Sequence, residues 1–183
     1  IFQTEPYEEQ IKKAAKLIRE ADYILFGLGA GISTAAGAQY GGDFFKGNFG
    51  EFIEKYGAGP YMQDMYSAGF YPYPDEESYW GYWSRQAMVG GIELDVTGLY
   101  RQLIALAQGK KSFCLSTNAD GQMEKAGYST EQIFCTQGDY FHIQCAKGCH
   151  AKTYDAVARF RQMDQARRDC KVPFYMVPKC PVC

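Results

Sequence analysis

The sequence predicts an α/β fold, a parallel sheet joined to a small metal-binding module. Short apolar runs alternate with stretches of helical periodicity, which is the pattern of parallel strands connected by helices. A glycine-rich turn follows the first apolar run directly, and two close pairs of cysteines lie towards the C-terminus. At 183 residues the chain is long enough for one domain with a small second module.

The composition is that of a globular protein, without the excess of positive charge that binding a polyanion requires. Hydrophobic residues make up 46% and charged residues 22%, and the net charge of -2 argues against nucleic acid and anionic lipid as ligands. We expect no membrane association, because no window approaches the length of an apolar span and nothing near Ile1 resembles a signal peptide. The first residue is not Met, so a trimmed N-terminus and a cytoplasmic location are expected.

The first half of the sheet begins with a predicted helix over 6–20 and a short buried strand over 23–27. The segment LGAGISTAAG (28–37) follows this strand at once. A strand, a glycine-rich turn and a short helix open a Rossmann-type unit, in which backbone N–H groups face a phosphate. The spacing departs from G-x-G-x-x-G, so a tight turn without a ligand is an alternative interpretation.

The next stretch, 43–91, is predicted to be mostly helical, with breaks at GAGP (57–60) and YPYP (71–74). Aromatic residues are densest over 70–83. They are interpreted first as the core of a helical subdomain, since aromatics at helical spacing usually pack inward, and second as the wall of a ligand pocket. Another helix is predicted over 96–108.

Polar residues follow two further predicted strands. The strand over 110–117 leads into Asn118 and Asp120, and the strand over 132–137 ends at Gln137. In a parallel sheet, ligands lie just outside the carboxyl ends of the strands, so these side chains are placed for chemistry. A simple turn explains N-A-D-G equally well.

Four cysteines have the spacing of a zinc site. The pairs are C-x3-C and C-x2-C, and each short turn presents two thiolates to one tetrahedral ion. Disulfides are disfavoured in a cytosolic protein. His150 is left out of the predicted set because four sulfurs already satisfy the ion. The predicted ligands are Cys145, Cys149, Cys180 and Cys183.

The other three cysteines, Cys114, Cys135 and Cys170, are predicted to be inert thiols. A helix near 154–168 is predicted between the two zinc-binding pairs.

Taken in order, the motifs GAGIS (29–33), TNAD (117–120), QG (137–138) and the two cysteine pairs resemble the sirtuin family of NAD-dependent enzymes. The resemblance implies a Rossmann-like NAD domain over 1–140 with a helical insertion at about 43–91. It also implies a zinc-binding module over 141–183. The family continues for roughly 100 further residues that complete the sheet, so the sheet is expected to be incomplete here.

Two departures narrow the resemblance. Ordinary sirtuin deacylases follow the glycine turn with a proline-aspartate-phenylalanine-arginine run, where this chain has AQYGG (38–42), and they carry His at the position of Gln137. The combination is similar to the macrodomain-linked bacterial sirtuins, which are protein ADP-ribosyltransferases. That resemblance implies an acceptor related to the lipoylated glycine cleavage H protein, and a macrodomain protein as a partner.

Gln137 favours transfer over deacylation. A deacylase needs a base to deprotonate a ribose hydroxyl, and glutamine can hydrogen-bond that hydroxyl without removing its proton. An acceptor carboxylate is already ionised, so transfer needs orientation and a dry pocket instead. His142 is not expected to replace the base, because on one strand Gln137 and His142 would point to opposite faces.

The resemblance assigns roles residue by residue. Asn118, Asp120 and Gln137 are the expected catalytic residues; Asn118 would contact the nicotinamide ribose or a water, and Asp120 the carboxamide. The expected NAD-binding residues are Gly29, Ala30, Gly31, Ser33, Tyr40, Asn118, Asp120 and Gln137. Alternative functions are a non-catalytic NAD sensor, an NAD glycohydrolase, a weak deacylase and a zinc-containing interaction module.

Overall fold

A computed structural model describes residues 5–183, so residues 1–4 of the predicted first domain lie outside the described residues. The helices are α1 (Tyr7–Glu20), α2 (Ala30–Ala35), α3 (Gly42–Tyr56), α4 (Met65–Gly69), α5 (Glu76–Ala87), α6 (Thr97–Leu106), α7 (Gln122–Lys125) and α8 (Val157–Ala166). The strands are β1 (Tyr23–Leu28), β2 (Lys111–Ser116), β3 (Ile133–Cys135), β4 (His142–Gln144) and β5 (Thr153–Asp155). A π-helical turn, Met88–Ile92, extends α5, and 3-10 turns lie at Thr130–Gln132 and Phe174–Met176.

The first three strands form the predicted parallel sheet in the order β1-β2-β3. Phe26 of β1 pairs with Cys114 of β2, which in turn pairs with Ile133 of β3. Because the three strands are parallel and adjacent, their carboxyl ends meet at one edge. The α/β fold class is thereby confirmed, and the polar residues that follow β1, β2 and β3 are brought to the same place.

Only one face of this sheet is packed among the described residues. Phe26 and Cys114 lie in a core with Tyr100 of α6. The opposite face is open, with Leu25 68% and Phe134 57% exposed. The prediction of a buried strand over 23–27 is confirmed for the face that packs in this core and is wrong for the opposite face, which the described residues leave exposed.

The helical segment confirms its predicted breaks. GAGP (57–60) lies between α3 and α4, and YPYP (71–74) lies between α4 and α5. Its core consists of stacked and tilted rings, among them Phe49 against Tyr82 at 5.3 Å between ring centroids. The interpretation of the aromatics as a core is confirmed for these residues. The aromatics around Phe70, in contrast, are partly exposed and line a cavity described below.

A close backbone contact ties α5 to the C-terminal part of the chain. A Cβ atom on Gly81 would lie 2.1 Å from the carbonyl oxygen of Cys170. We predict that Gly81→Ala lowers the free energy of unfolding by about 1–3 kcal/mol, because the overlap forces helix and loop apart. Gly47→Ala is the matched control, since Gly47 is an exposed residue of α3 with nothing within 4 Å of an added Cβ. Urea denaturation of both variants makes the comparison; equal stability would refute the contact.

The C-terminal part forms a small module that packs on α5. β4 and β5 pair antiparallel, and the predicted helix near 154–168 begins only at Val157, because residues 153–155 belong to β5. Phe160 and Met163 of α8 pack against Ala87 and Met88, and the Arg85 guanidinium lies 3.2 Å from an Asp164 carboxylate oxygen. The boundary between the two predicted domains at 140 remains a prediction. Within residues 5–183, no helix has the length and apolar character that crossing a membrane requires.

Candidate functional site

The TNAD motif and the glycine-rich turn meet at the carboxyl edge of the sheet. The backbone N–H of Thr117 donates to the Leu28 carbonyl at 3.0 Å, which joins the end of β2 to the end of β1. Asn118 Nδ2 donates to the Gly29 carbonyl at 3.0 Å and to Ser33 Oγ at 3.2 Å. The two motifs, about 85 positions apart in sequence, therefore form one hydrogen-bonded unit.

Ser33 lies at the centre of this unit and is fully buried. Its hydroxyl donates to Asp120 Oδ2 at 2.6 Å and lies 2.6 Å from the Tyr100 hydroxyl. Since the single Ser33 proton goes to Asp120, Tyr100 and Asn118 act as donors to Ser33 Oγ. The other Asp120 oxygen accepts from the Gln122 backbone N–H at 3.1 Å. Both carboxylate oxygens are thus held by the protein, and the Asp120 side chain is fixed in orientation.

Burial raises the pKa values of the two tyrosine phenols around this unit. The pKa of Tyr100 is raised to about 12, chiefly by burial. Tyr40 is half-buried beside Ser33, and its pKa is raised by burial, with the Asp120 charge adding to the effect. Both phenols are neutral near pH 7 and can donate a hydrogen bond. The structure therefore brings Tyr40 to the predicted site.

The glycine-rich turn presents backbone to the same edge. Gly29 is the N-cap of α2 in an extended conformation, and no side chain caps this helix. Ala30 and Gly31, the first two helical residues, are exposed. Uncapped N–H groups at a helix start are free to bind an anion, as the sequence predicts for the pyrophosphate.

Gln137 lies in a loop next to this edge rather than at the end of a strand. β3 ends at Cys135, and Gln137 is exposed and makes no side-chain hydrogen bond within residues 5–183. Its loop is anchored by the Tyr140 N–H, which donates to the Ala119 carbonyl at 3.0 Å. Gly121, in the left-handed region at φ 65°, leaves room for Phe141, whose ring carbon would lie 2.4 Å from an added Cβ. The QG loop is thereby fixed against the TNAD motif.

The prediction that strand parity separates His142 from Gln137 is wrong. Gln137 and His142 do not share a strand, because the chain turns at Gly138 and β4 begins only at His142. His142 lines the same cavity as Gln137. Its Nδ1 lies 3.0 Å from both carboxylate oxygens of Asp139. Strand parity therefore does not separate the two side chains.

A cavity of about 360 Å³ adjoins the polar edge. It reaches Ala119 and Gln137 at one end and is walled by aromatic rings from α4, α5 and α8. The volume is in the range that binds small ligands or a ligand side arm. The aromatic wall consists of Tyr66, Phe70, Tyr79, Trp80, Trp83 and Phe160.

Some residues of the site were missed by the sequence analysis. Tyr100 donates into the Ser33 unit from α6, and Gln86 Nε2 donates to the Tyr140 hydroxyl at 2.9 Å from α5. The side chains of Tyr100, Gln86 and Tyr140 lie in segments whose helical or loop pattern predicts packing and no chemical role. The one available signal is a tyrosine on the buried face of α6, since a buried phenol needs a hydrogen-bond partner.

The four predicted zinc ligands come together between the β4–β5 hairpin and the last turn. Cys149 Sγ lies 3.6 Å from Cys180 Sγ, and Cys145 Sγ lies 3.7 Å from Cys183 Sγ. Sulfurs bound to one tetrahedral zinc ion are separated by about 3.7 Å, so the cluster fits the ion. Hydrogen bonds from the backbone and thiol of Cys149 lower the pKa of Cys145 to about 6, and the hydrogen bond between the two thiols raises the pKa of Cys149.

The inert cysteines lie elsewhere. Burial raises the pKa of Cys114, Cys135 and Cys170 to about 11 in each case, so these thiols stay protonated near neutral pH. This agrees with their prediction as unreactive residues.

The parallel sheet, its polar edge and the cysteine cluster together define an α/β chain with a candidate metal-binding module. A crystal structure of a Sir2 homologue in complex with NAD has the same fold, with a TM-score of 0.55 at 18% identity. The match covers 94% of this chain and 57% of that chain. The fold expected from the motifs is confirmed.

Two curated proteins match the sequence. A protein ADP-ribosyltransferase from Staphylococcus aureus is 37% identical over 179 residues, covering 96% of this chain and 56% of the relative. A probable bifunctional ADP-ribose hydrolase/ADP-ribosyltransferase from Fusarium oxysporum f. sp. cubense is 35% identical over 153 residues, covering 79% and 24%. The chain spans about half the length of the first relative and a quarter of the second. No protein-family model matches the chain.

Proposed function

We propose that this chain carries the NAD site of a protein ADP-ribosyltransferase, which moves ADP-ribose from NAD to a protein acceptor and releases nicotinamide. The observation that carries the proposal is the Ser33–Asn118–Asp120 unit at the sheet edge, with Gln137 beside it at the position where ordinary sirtuin deacylases carry histidine. Both curated relatives are named as ADP-ribosyltransferases, and the structural neighbour is a complex with NAD.

Each residue of the unit has a task in this proposal. The N–H groups at Ala30 and Gly31 would bind the pyrophosphate, and buried Ser33 would hold Asp120 and Asn118 in place beside the ribose. The fixed Asp120 carboxylate would accept from the nicotinamide carboxamide, and Asn118 would orient the adjacent ribose or a water. Tyr40 would line the pocket from its half-buried position beside Ser33. Such contacts favour bond breaking by holding the reacting groups in one orientation.

Gln137 determines the class of reaction. Cleavage of the nicotinamide–ribose bond leaves positive character on the sugar, and an ionised acceptor attacks it without losing a proton. A deacylase must remove a proton from a ribose hydroxyl, and an amide side chain has no basic atom for that step. Gln137 would hydrogen-bond the ribose and leave its hydroxyls protonated.

The acceptor we propose is a lipoylated carrier protein related to the glycine cleavage H protein. The cavity beside Gln137 supports this choice, because its largely aromatic wall suits a hydrocarbon arm. A macrodomain protein is proposed as a further partner, because the sequence resembles the macrodomain-linked bacterial sirtuins. The cytoplasm is the proposed location.

Zinc is the metal we propose for the cysteine cluster. Four thiolates suit this ion, and a closed tetrahedral set has no open position for a substrate. Bound zinc would supply a cross-link between the β4–β5 hairpin and the last turn. Cys145 and Cys149 would hold it from the hairpin, and Cys180 and Cys183 from the turn.

Labelled NAD tests the transfer in a form of the protein that spans the full length of its relatives. We predict label on a lipoylated carrier and at least ten times less on the unlipoylated carrier, since burying a hydrocarbon arm is worth about 1.4 kcal/mol or more. Free ADP-ribose as the main product would indicate a glycohydrolase. No product, with NAD still bound, would indicate a sensor, and no binding would indicate an interaction module.

A further inference from the structure

The cysteine cluster contains a fifth donor. Nδ1 of His150 lies 3.0 Å from Cys149 Sγ and 4.0 Å from Cys180 Sγ. The donor atoms of Cys145, Cys149, His150 and Cys180 all lie within 4.8 Å of one another. An imidazole nitrogen therefore lies beside the sulfurs, close enough to bind the same metal ion.

The second nitrogen of His150 is oriented as in metal-binding histidines. Nε2 lies 2.9 Å from the hydroxyl of Tyr154, which is held in β5 opposite Ile143. When Nε2 carries the proton and donates to this hydroxyl, Nδ1 is left with a lone pair that points at the sulfurs. Metal-ligating histidines regularly donate their other N–H to an oxygen acceptor, which fixes the tautomer and the ring.

The distances also fit. In a tetrahedral site, a sulfur and a nitrogen on one zinc ion lie about 3.5 Å apart. The two observed separations, 3.0 Å and 4.0 Å, lie on either side of this value. A ring shift of about 0.5 Å would place Nδ1 at a normal distance from both sulfurs.

We propose that His150 is a substitute zinc ligand, able to take the place of Cys183 beside Cys145, Cys149 and Cys180. The exchange converts a four-cysteine set into a three-cysteine, one-histidine set, and both sets hold zinc in closed tetrahedral sites. No covalent step is involved, and one thiolate is released as the imidazole binds. The ion then stays bound in the absence of the Cys183 thiolate.

The proposal concerns zinc binding alone and rests on the proposed zinc site, not on ADP-ribosyl transfer. It is tested by measuring the zinc content of freshly purified 183-residue chains by elemental analysis. The wild type is expected to hold about one equivalent. Cys183→Ser is expected to keep more than half of it, because His150 completes the site. Cys149→Ser is the matched control and is expected to lose the metal, since Cys149 belongs both to the four-cysteine set and to the set that includes His150.

The decisive variant is Cys183→Ser with His150→Ala. We expect this double variant to lose zinc, whereas His150→Ala alone keeps it through the four sulfurs. Cobalt substitution supplies an independent readout: the ligand-field bands of Cys183→Ser should shift to shorter wavelength, as nitrogen replaces sulfur. Loss of zinc or of folding in Cys183→Ser to the extent seen in Cys149→Ser would overturn the proposal. So would retention of zinc in the double variant, or a wild-type chain without zinc.

Discussion

Replacing Asn118 by Ala is expected to reduce ADP-ribosyl transfer by about 10²-fold or more, in a form of the protein as long as its relatives. Asn118 follows β2 directly and hydrogen-bonds to the Gly29 carbonyl and Ser33 Oγ. Its amide joins the two motifs that form the proposed NAD pocket. Without it, the turn and the Ser33 hydroxyl lose a shared donor, and the ribose loses the group that orients it.

If Asn118 is only a turn residue without a catalytic task, a different outcome is expected. In that case Asn118→Ala lowers stability and activity together. Ser112→Ala is the matched control, because Ser112 lies near the other end of β2 and hydrogen-bonds Tyr128 away from the site. Thermal melting and transfer assays on the same preparations separate the two explanations. An unchanged melting temperature with transfer lost supports the site, and full transfer in Asn118→Ala would remove it from the catalytic residues.

Deacylation is expected to be about 10²–10⁴-fold slower than in ordinary sirtuins, the usual cost of a missing base. The position in question is Gln137, whose side chain faces the cavity beside Ala119. Gln137→His restores a titratable group there and should raise the removal of acetyl groups from peptides. Deacetylation by the unchanged protein at ordinary rates would show that the role given to Gln137 is wrong.

His142 requires its own control in this experiment. It shares the cavity with Gln137, and Asp139 holds its ring. We expect His142→Gln to leave the low deacetylation rate unchanged, because the proposed reaction uses no base at either position. A further fall in that rate would identify His142 as the proton acceptor.

The sequence predicts the sheet and its polar carboxyl edge because both depend on short-range patterns. Apolar runs bounded by glycine or polar residues define β1, β2 and β3, and side chains directly after such strands must lie at the carboxyl edge. Asn118 and Asp120 could therefore be placed before their partners were known. Cysteine spacing predicts the cluster for the same local reason.

Long-range contacts between side chains were not predicted, because they leave no local pattern in the sequence. Tyr100 reaches Ser33 from a helix whose pattern shows only a buried face, and Gln86 reaches Tyr140 across 54 positions. The error on His142 arose from a single turn at Gly138, since counting strand parity across a turn has no meaning. The proposed role of His150 was not predicted because four sulfurs already satisfy the ion. The position of its ring depends on Tyr154, which the pairing of β4 with β5 holds in place.

The balance between nicotinamide release and acceptor modification tests the central claim most directly. NAD and a lipoylated carrier are incubated with a form of the protein as long as its relatives. Free nicotinamide is measured by chromatography, and ADP-ribose on the carrier by intact mass. Transfer without hydrolysis or deacylation predicts equal molar amounts of the two. Nicotinamide released in large excess over modified carrier, with free ADP-ribose in solution, would contradict it.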